Sequence, residues 1–188
     1  MSQQDLLKRV IQALDAAAID YMITGSIASS LQGEPRATHD LDVVVQVDEN
    51  AAPTLLASFP TPEFYFDDSA VLEAVRNRSG FNVIDTAEGD KVDFWLLTED
   101  AFDQSRFARK YEEEVLGIRL RVSAPEDTIL QKLRWSALSG GSEKLYGDAL
   151  RVYEVQHARL DQQYLDEWSK SLGVEGVLAR IRDEAELI

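Results

Sequence analysis

One short segment, residues 40–47, limits what this chain can fold into more than any other. It has the sequence DLDVVVQV, and this density of β-branched residues predicts a strand because such side chains fit a pleated, half-buried surface. Side chains alternate along a strand, so Asp40 and Asp42 project from one face while Leu41 and Val43 point to the other. The fold must therefore bury one face of this strand and leave two carboxylates together on the opposite face.

The rest of the front half alternates between predicted helices and strands. Apolar residues recur at helical spacing over residues 4–18 and predict an amphipathic first helix. Further strands are predicted at residues 21–24, 63–66 (a short edge strand), 81–86 and 91–97, and further helices at 27–31, 51–58 and 69–76. The turn at 87–90 predicts that the last two strands form a hairpin.

The pattern becomes mostly helical from residue 99, apart from an alternating stretch at 118–122. Proline and acidic residues at 123–127 favour a helix start, because proline is tolerated in the first turn and carboxylates favour its positive end. That helix is predicted to end near residue 138, and others follow at 143–157, 162–172 and 174–186. We therefore expect an α/β (α+β) fold: a core with a mixed sheet flanked by helices over residues 1–122, and a helical C-terminal region over residues 123–188 packed on that core.

The charge of the chain disfavours one broad class of function. Its 188 residues include 19 Lys and Arg against 34 Asp and Glu, a formal net charge of −15. A surface this acidic repels a phosphate backbone, so broad non-specific nucleic-acid binding is disfavoured. Residues 101–150 contain as many basic as acidic residues, and an anionic ligand is most easily held there.

The compartment is also suggested by composition. The chain has no cysteine, which removes disulfides, thiolate metal sites and cysteine nucleophiles and fits a reducing cytoplasm. Charged residues interrupt the first 20 positions, so no segment resembles a signal peptide, and no run approaches the roughly 20 apolar residues that span a bilayer. We expect a soluble, cytoplasmic protein that does not bind membranes.

A third carboxylate, Asp93, lies in the predicted strand VDFWL among apolar neighbours, where an unpartnered charge is expensive to bury. Like charges held close together are also costly unless a cation neutralises them, and hard oxygen ligands suit Mg²⁺ or Mn²⁺. If the strand of Asp93 lies beside that of Asp40 and Asp42, the three carboxylates share one divalent ion. The alternative for Asp40 and Asp42 is a solvated strand edge.

The turn Thr24-Gly25-Ser26 is predicted to hold phosphate. Glycine allows a close backbone approach, the following helix offers free N–H groups and a positive dipole end, and Ser26 adds a hydroxyl. The alternative is an ordinary strand-to-helix turn with Ser26 as a cap. A phosphate cradle and a three-carboxylate metal site on one sheet together indicate nucleotidyl transfer, with displacement of pyrophosphate from a metal-bound triphosphate.

These motifs resemble those of a known superfamily. The arrangement Gly25-Ser26, Arg36-x-Thr38-x-Asp40-x-Asp42 and a later strand Asp93 resembles the signature of the DNA polymerase β-type nucleotidyltransferases. From about residue 21 to 180 the chain is most similar to small prokaryotic nucleotidyltransferases related to AbiEii-type toxins and minimal nucleotidyltransferases. Residues 125–135 and the motif Ser142-Glu143-Lys144-x-x-x-Asp148 resemble the C-terminal helices of the same proteins.

The resemblance implies two Mg²⁺ ions and a nucleoside triphosphate as substrate. It implies that Asp40 and Asp42 bind both metals, and that Asp93 binds the catalytic metal and helps to deprotonate an acceptor hydroxyl. It also implies that Ser26 contacts the terminal phosphates.

The resemblance also implies residues of the nucleotide site. Lys132 matches a helix lysine that helps catalysis in the toxins, and Asp148, shortly after Lys144, is implied to orient it. Arg36 and Thr38 join Gly25, Ser26, Lys144 and Asp148 as expected nucleotide-binding residues. Lys132 and Arg36 each have a structural alternative to these roles. Lys132 could be a lysine that snorkels from the rim of a buried face, and Arg36 could be an exposed loop residue.

The acceptor is left open among RNA, a protein and a small molecule, with a toxin-like role and an antitoxin partner implied by the resemblance. The alternative function is a non-catalytic nucleotide-binding or antitoxin-type regulatory module with the same fold. Other conspicuous residues are predicted to be structural: His39, His157, a solvated Glu112–Glu114 run, and Trp95, Trp135 and Trp168, which we expect to fill core and helix contacts.

Overall fold

The computed structural model describes residues 2–115 and 117–187, and the chain forms two compact units. The first unit is the chain up to Thr24 together with Thr38–Val122, and the second is Gly25–Ala37 together with the chain from Ser123 onward. All strands of the described residues belong to the first unit. The segment that follows the first strand thus groups with the C-terminal helices.

The elements follow one another in chain order as helices and strands of ordinary length. They are α1 (Gln3–Ala16), β1 (Asp20–Ile23), α2 (Gly25–Gln32), β2 (Asp40–Gln46), α3 (Ala52–Leu56), β3 (Phe64–Tyr65), α4 (Asp68–Asn77), β4 (Gly80–Asp85), β5 (Lys91–Leu96), α5 (Ala101–Ala108), β6 (Tyr111–Val115), β7 (Ile118–Val122), α6 (Pro125–Leu138), α7 (Glu143–Gln156), a 3₁₀ turn (His157–Arg159), α8 (Gln162–Ser171) and α9 (Glu175–Glu184). No helix among the described residues combines the length and the apolar character that crossing a bilayer requires.

The sheet of the first unit is mixed, with the strand order β3-β4-β5-β2-β1-β7-β6. Two pairs are parallel, β2 with β5 and β1 with β7, and the others are antiparallel. The hairpin of β4 and β5 and the edge position of β3 confirm the sequence predictions. The predicted α/β (α+β) fold with a mixed sheet flanked by helices is confirmed.

Aromatic side chains fill the apolar face of the sheet. Phe94 stacks on Phe81 with ring centroids 5.0 Å apart, and Phe59 meets both Phe94 and Phe64 edge to face. Such pairs each contribute about 0.5–1.5 kcal/mol beyond the area that they bury. This cluster anchors β5, and alternation then turns the neighbours of Phe94 to the opposite face.

The second unit is built around α6 and α7, which pack on each other and on α2. Buried polar groups at its helix ends are paired: Glu126 accepts the N–H of Asp161, and Asp127 accepts the hydroxyl of Tyr164 at 2.6 Å. Leu133, a fully buried residue of α6, belongs to its apolar core. Pairing of this kind is required because an unsatisfied buried carboxylate costs several kcal/mol.

Two sequence predictions about local structure are wrong. The mostly helical pattern predicted from residue 99, interrupted only at 118–122, is wrong at Tyr111–Val115, which form the edge strand β6. Residues 112–114 of this strand are solvated, as predicted, and pair with β7 so that Glu113 lies opposite Leu120. Trp95 and Trp135 do not fill the core, because 42% and 47% of their surface is exposed. Trp168 is half-buried and meets the ring of Tyr164, as a helix contact should.

Candidate active site

The carboxylates of β2 and β5 lie side by side on one face of the first unit. The parallel register sets Asp42 opposite Asp93 and Asp40 opposite Lys91. Paired residues of neighbouring strands point to the same side, and the strands are about 4.8 Å apart. We call Asp40, Asp42 and Asp93 the acid face.

The acid face is the polar end of an otherwise apolar surface. Val44, the next residue of β2 on this side, is buried with Met22, Leu97 and Phe107 in one cluster. Two residues earlier, Asp42 is half-buried, and Asp40 is exposed. The alternation predicted from DLDVVVQV therefore produces a face that is apolar at one end and acidic at the other.

Lys91 lies among these carboxylates. Its Nζ is 2.8 Å from Oδ2 of Asp93 and 3.7 Å from Oδ1 of Asp40. The hydrogen bond to Asp93 raises the pKa of Lys91 above its ordinary value; burial opposes this, and the charges of Asp93, Asp40 and Asp42 reinforce it. Lys91 is therefore a full positive charge that neutralises part of the acid face.

Trp95 lies across the same face. Its Nε1 donates to Oδ1 of Asp42 at 3.2 Å, and its six-membered ring covers Gly80 of β4. A Cβ at position 80 would lie only 2.8 Å from Cε3 of the indole, so glycine is required for this close approach. The exposed indole is thus a fixed part of the site, with one edge bonded to a carboxylate.

The donor chemistry of the acid face fits a divalent hard cation, because three carboxylates are the ligands that Mg²⁺ and Mn²⁺ prefer. Over residues 2–115 and 117–187, however, no three histidine, cysteine or acidic side chains are already arranged to hold a metal ion. The ammonium of Lys91 and the indole N–H of Trp95 hold the carboxylate oxygens instead. The ligands are present in the right register, but their side chains are engaged by protein donors.

Predicted nucleotide-binding residues come together in the second unit. Arg36 forms a bidentate pair with Asp148, at 3.0 Å from Nε and 2.9 Å from Nη2, and Nη2 also donates to Oγ of Ser26 at 2.8 Å. Lys132 donates to the same carboxylate at 2.7 Å. We call Ser26, Arg36, Lys132 and Asp148 the basic cluster, because it contains two cations and one carboxylate.

The basic cluster is largely withdrawn from solvent. The side chains of Lys132 and Asp148 are 8% and 10% exposed, and Arg36 is half-buried. Burial raises the pKa of Asp148, but the hydrogen bonds from Arg36 and Lys132, with their charges, outweigh it, so the pKa lies below the ordinary value of 3.8. Lys132 is therefore a buried, paired lysine and not a snorkelling one.

Gly25 and Ser26 begin α2, directly after β1. Gly25 has φ +64°, a left-handed conformation that favours glycine, and Thr24 before it donates its N–H to the carbonyl of Asp42 at 3.0 Å. Ser26 does not act as a side-chain cap in the way the alternative reading supposes; its hydroxyl accepts from Arg36.

The other residues singled out in the sequence lie outside the acid face and the basic cluster. Thr38 exchanges hydrogen bonds with the backbone of Asp40 at the start of β2, which shapes the approach to the acid face. Lys144 is exposed on α7, four residues before Asp148 and so on the same side of that helix. His39 pairs with Asp90 at 2.9 Å, and His157 follows the end of α7, so neither belongs to the clusters described above.

Two residues that contact the acid face, Lys91 and Trp95, are missing from the predicted site. Both lie two positions from Asp93, so alternation along β5 predicts that their side chains share a face with that of Asp93. The spacing of Lys91 and Asp93 along β5 already allows their ion pair, whereas the approach of Lys91 to Asp40 depends on strand pairing. The tryptophan was assigned to the core on its residue type alone.

Comparisons with known proteins agree with this architecture. Residues 6–95 match the family model Aminoglycoside-2''-adenylyltransferase, and no curated protein matches the chain. A nucleotidyltransferase-like protein from Paracoccidioides brasiliensis is 19% identical with a TM-score of 0.57, covering 100% of this chain and 96% of that one.

Two further solved structures have names that refer to antibiotics. The antibiotic-resistance factor ANT(2'')-Ia is 14% identical with a TM-score of 0.54, covering 96% of this chain and 91% of that one. The lincosamide antibiotic adenylyltransferase LnuA, bound to lincomycin, is 10% identical with a TM-score of 0.58, covering 82% and 98%. The chain therefore has the nucleotidyltransferase fold, which confirms the resemblance of its motifs to the DNA polymerase β-type nucleotidyltransferase superfamily.

Proposed function

We propose that this chain is a Mg²⁺-dependent nucleotidyltransferase that transfers a nucleoside monophosphate from a nucleoside triphosphate to a hydroxyl of an acceptor. The observation that carries the proposal is the register of β2 and β5, which sets Asp42 opposite Asp93 with Asp40 on the same face. Three carboxylates from two neighbouring strands are a costly arrangement without a cation.

In the first unit, Asp40, Asp42 and Asp93 would hold the metal ions. Bound Mg²⁺ supplies Lewis-acid stabilisation of the phosphates, and Mn²⁺ has the same ligand preference. Asp93 accepts the proton of the acceptor hydroxyl, whose oxygen then bonds to the α-phosphorus while the bond from that phosphorus to pyrophosphate breaks. Thr38 holds the backbone of Asp40 at the entry to the strand.

In the second unit, the basic cluster is suited to the triphosphate. Arg36 and Lys132 outnumber the single carboxylate of Asp148, so the cluster has net positive charge in a chain that is otherwise strongly acidic. Asp148 orients both cations, and the hydroxyl of Ser26 and the free N–H groups at the start of α2 add donors for phosphate oxygens. Gly25 permits a close approach of the chain to the phosphates, and Lys144 adds charge on the same side of α7 as Asp148.

A small hydroxyl-bearing molecule is the favoured acceptor. The matching family model and the LnuA structure are named for aminoglycoside and lincosamide antibiotics. A net charge of −15 favours a cationic acceptor of this kind over a polyanionic nucleic acid. A toxin-like role with an antitoxin partner, in which RNA or a protein is the acceptor, stays a prediction from the sequence resemblance.

The test is incorporation of label from each α-³²P-labelled nucleoside triphosphate, with Mg²⁺, into a panel of aminoglycosides and lincosamides, tRNA and a protein extract. We expect label in one acceptor class, and its loss in Asp42→Asn and Asp93→Asn. Asp68→Asn is the matched control, because it removes an exposed carboxylate of the same unit from α4. Equal labelling by wild type and both active-site variants would refute the proposal.

One observation favours a second candidate, a nucleotide-binding or regulatory module without turnover. Lys91 already pairs with Asp93 and approaches Asp40, which gives the acid face a counter-ion of its own. This candidate predicts that a nucleoside triphosphate raises the melting temperature, since a ligand of the native state stabilises it, while no acceptor is labelled and no pyrophosphate is released.

A further inference from the structure

We infer that Lys91 is an internal competitor for the metal site: its ammonium takes the place of a cation on the acid face, and a divalent ion binds only when Lys91 leaves. The inference rests on the proposed function, because it assigns the metal to Asp40 and Asp93. It adds a residue that sets how tightly the metal is held.

The contacts of Lys91 are those of a cation between two ligands. Nζ is 2.8 Å from one carboxylate and 3.7 Å from a second, and these carboxylates belong to different strands. The register fixes this bridge, since Lys91 lies opposite Asp40 and two residues before Asp93 on the same face. An ammonium at this point and a divalent ion bound to the same oxygens would repel each other strongly at about 4 Å.

Lys91 is able to leave. A lysine carries its charge on a flexible four-carbon stem, and 35% of this side chain is exposed. When it is displaced, the oxygens of Asp40 and Asp93 that it contacts become available as ligands.

A supporting role for Lys91 predicts the opposite change in metal affinity when the lysine is removed. If the lysine only held Asp93 in the geometry that a metal needs, removing it would weaken metal binding. If Lys91 competes, removing it strengthens binding. The direction of the change therefore separates the two roles.

The experiment is titration of the apo protein with Mn²⁺, followed by the electron paramagnetic resonance signal of the free ion, without nucleotide or acceptor. We expect Lys91→Met to bind Mn²⁺ about tenfold more tightly than wild type, equivalent to about 1.4 kcal/mol, because one ion pair and one repulsion are removed. Lys91→Arg keeps the charge and should stay within about twofold of wild type.

The matched control is Lys110→Met. Lys110 pairs with Asp20, which lies opposite Gln46 at the other end of β2, about 20 Å along the strand from Asp40. Lys110→Met removes the same charge from the same unit as Lys91→Met, but far from the acid face. The Mn²⁺ affinity of Lys110→Met should therefore equal that of wild type. A gain as large in Lys110→Met as in Lys91→Met would show a general charge effect and overturn the inference.

A measurement on the wild-type chain keeps the inference testable if Lys91→Met does not fold. The ¹⁵N-edited NMR signal of the Lys91 ammonium should shift when Mg²⁺ is added, while that of Lys110 should not. An unchanged Lys91 signal at saturating Mg²⁺, or unchanged or weaker Mn²⁺ binding by a folded Lys91→Met, would overturn the inference. If Lys91→Met binds Mn²⁺ more tightly but the protein labels no acceptor, the inference about Lys91 holds and the proposed nucleotidyl transfer fails.

Discussion

The buried carboxylate of Asp148 makes a sharp prediction about stability. It accepts from Lys132 at 2.7 Å and forms a bidentate pair with Arg36, and its side chain is only 10% exposed. Removing one partner of a buried ion pair costs about 3–5 kcal/mol. Asparagine keeps one acceptor oxygen and Arg36 is partly exposed, so we expect Asp148→Asn to lower the free energy of unfolding by about 2–3 kcal/mol.

The control for this change is Asp166→Asn in the same unit. Asp166 accepts from Arg182 at the same distance, 2.7 Å, but its side chain is 49% exposed. Exposed pairs contribute about 0.2–1 kcal/mol, and Asp148 also has a second cation, Lys132, so burial and the number of partners both predict a smaller loss for Asp166→Asn. Urea unfolding followed by circular dichroism measures both, and equal losses in Asp148→Asn and Asp166→Asn would refute the reasoning that a buried carboxylate with two cationic partners stabilises the fold more than an exposed one with a single partner.

The same pair gives a pH dependence of definite sign. The pKa of Asp148 in the folded chain lies below its ordinary value of 3.8, so the carboxylate stabilises the fold above that value. This stability is lost as the pH falls from about 4 through the lowered pKa. The difference in unfolding free energy between wild type and Asp148→Asn should therefore be constant from pH 7 to 5 and shrink below pH 4. A difference independent of pH down to pH 2 would contradict the assignment.

Two other changes test other parts of the chain. Gly80→Ala places a Cβ 2.8 Å from the indole of Trp95, so it should displace the ring and shift its fluorescence emission, whereas Gly147→Ala, with open space around it, should leave the emission unchanged. Tyr146, which donates to Glu184 at 2.7 Å, has its pKa raised to about 12, mainly by burial. The stability it gives is complete below pH 10 and is lost as the pH rises toward 12, so Tyr146→Phe should lose less stability than wild type over that range in alkaline unfolding experiments.

The strands of the acid face were predictable because two local rules agree there. β-branched residues specify the strand at 40–46, and a period of two specifies which side chains share a face. The position of Asp93 beside Asp42 needed one more fact, that β5 pairs with β2 in parallel. Pairing between strands about 50 residues apart leaves no local signal in the sequence. The metal site was therefore predicted only on the condition that the strand of Asp93 lies beside that of Asp42.

The errors arose where tertiary context overrides residue type. Three glutamates in a row have low strand propensity, yet β6 forms because β7 offers an edge and the side chains stay in solvent. Trp95 is exposed because a glycine on the neighbouring strand leaves room for its ring.

Of the basic cluster, Ser26 was predicted from the turn that contains it, whereas Arg36, Lys132 and Asp148 were predicted from the resemblance. Arg36 and Asp148 are separated by 112 positions, and no pattern in the sequence predicts that they pair. Lys132 and Asp148 lie on consecutive helices, where many pairings are compatible with the same spacing. Their contact depends on how α6 and α7 pack, which the spacing of residues within each helix does not determine.

The most direct test of the central claim is a crystal structure of the chain with Mn²⁺ and a non-hydrolysable nucleoside triphosphate, with the metal located by anomalous scattering. The account predicts an anomalous peak about 2.1 Å from carboxylate oxygens of Asp42 and Asp93, with Asp40 as a further ligand and Lys91 turned away. A peak bound elsewhere, or nucleotide bound with no metal on the acid face while Lys91 keeps its contact with Asp93, would contradict it.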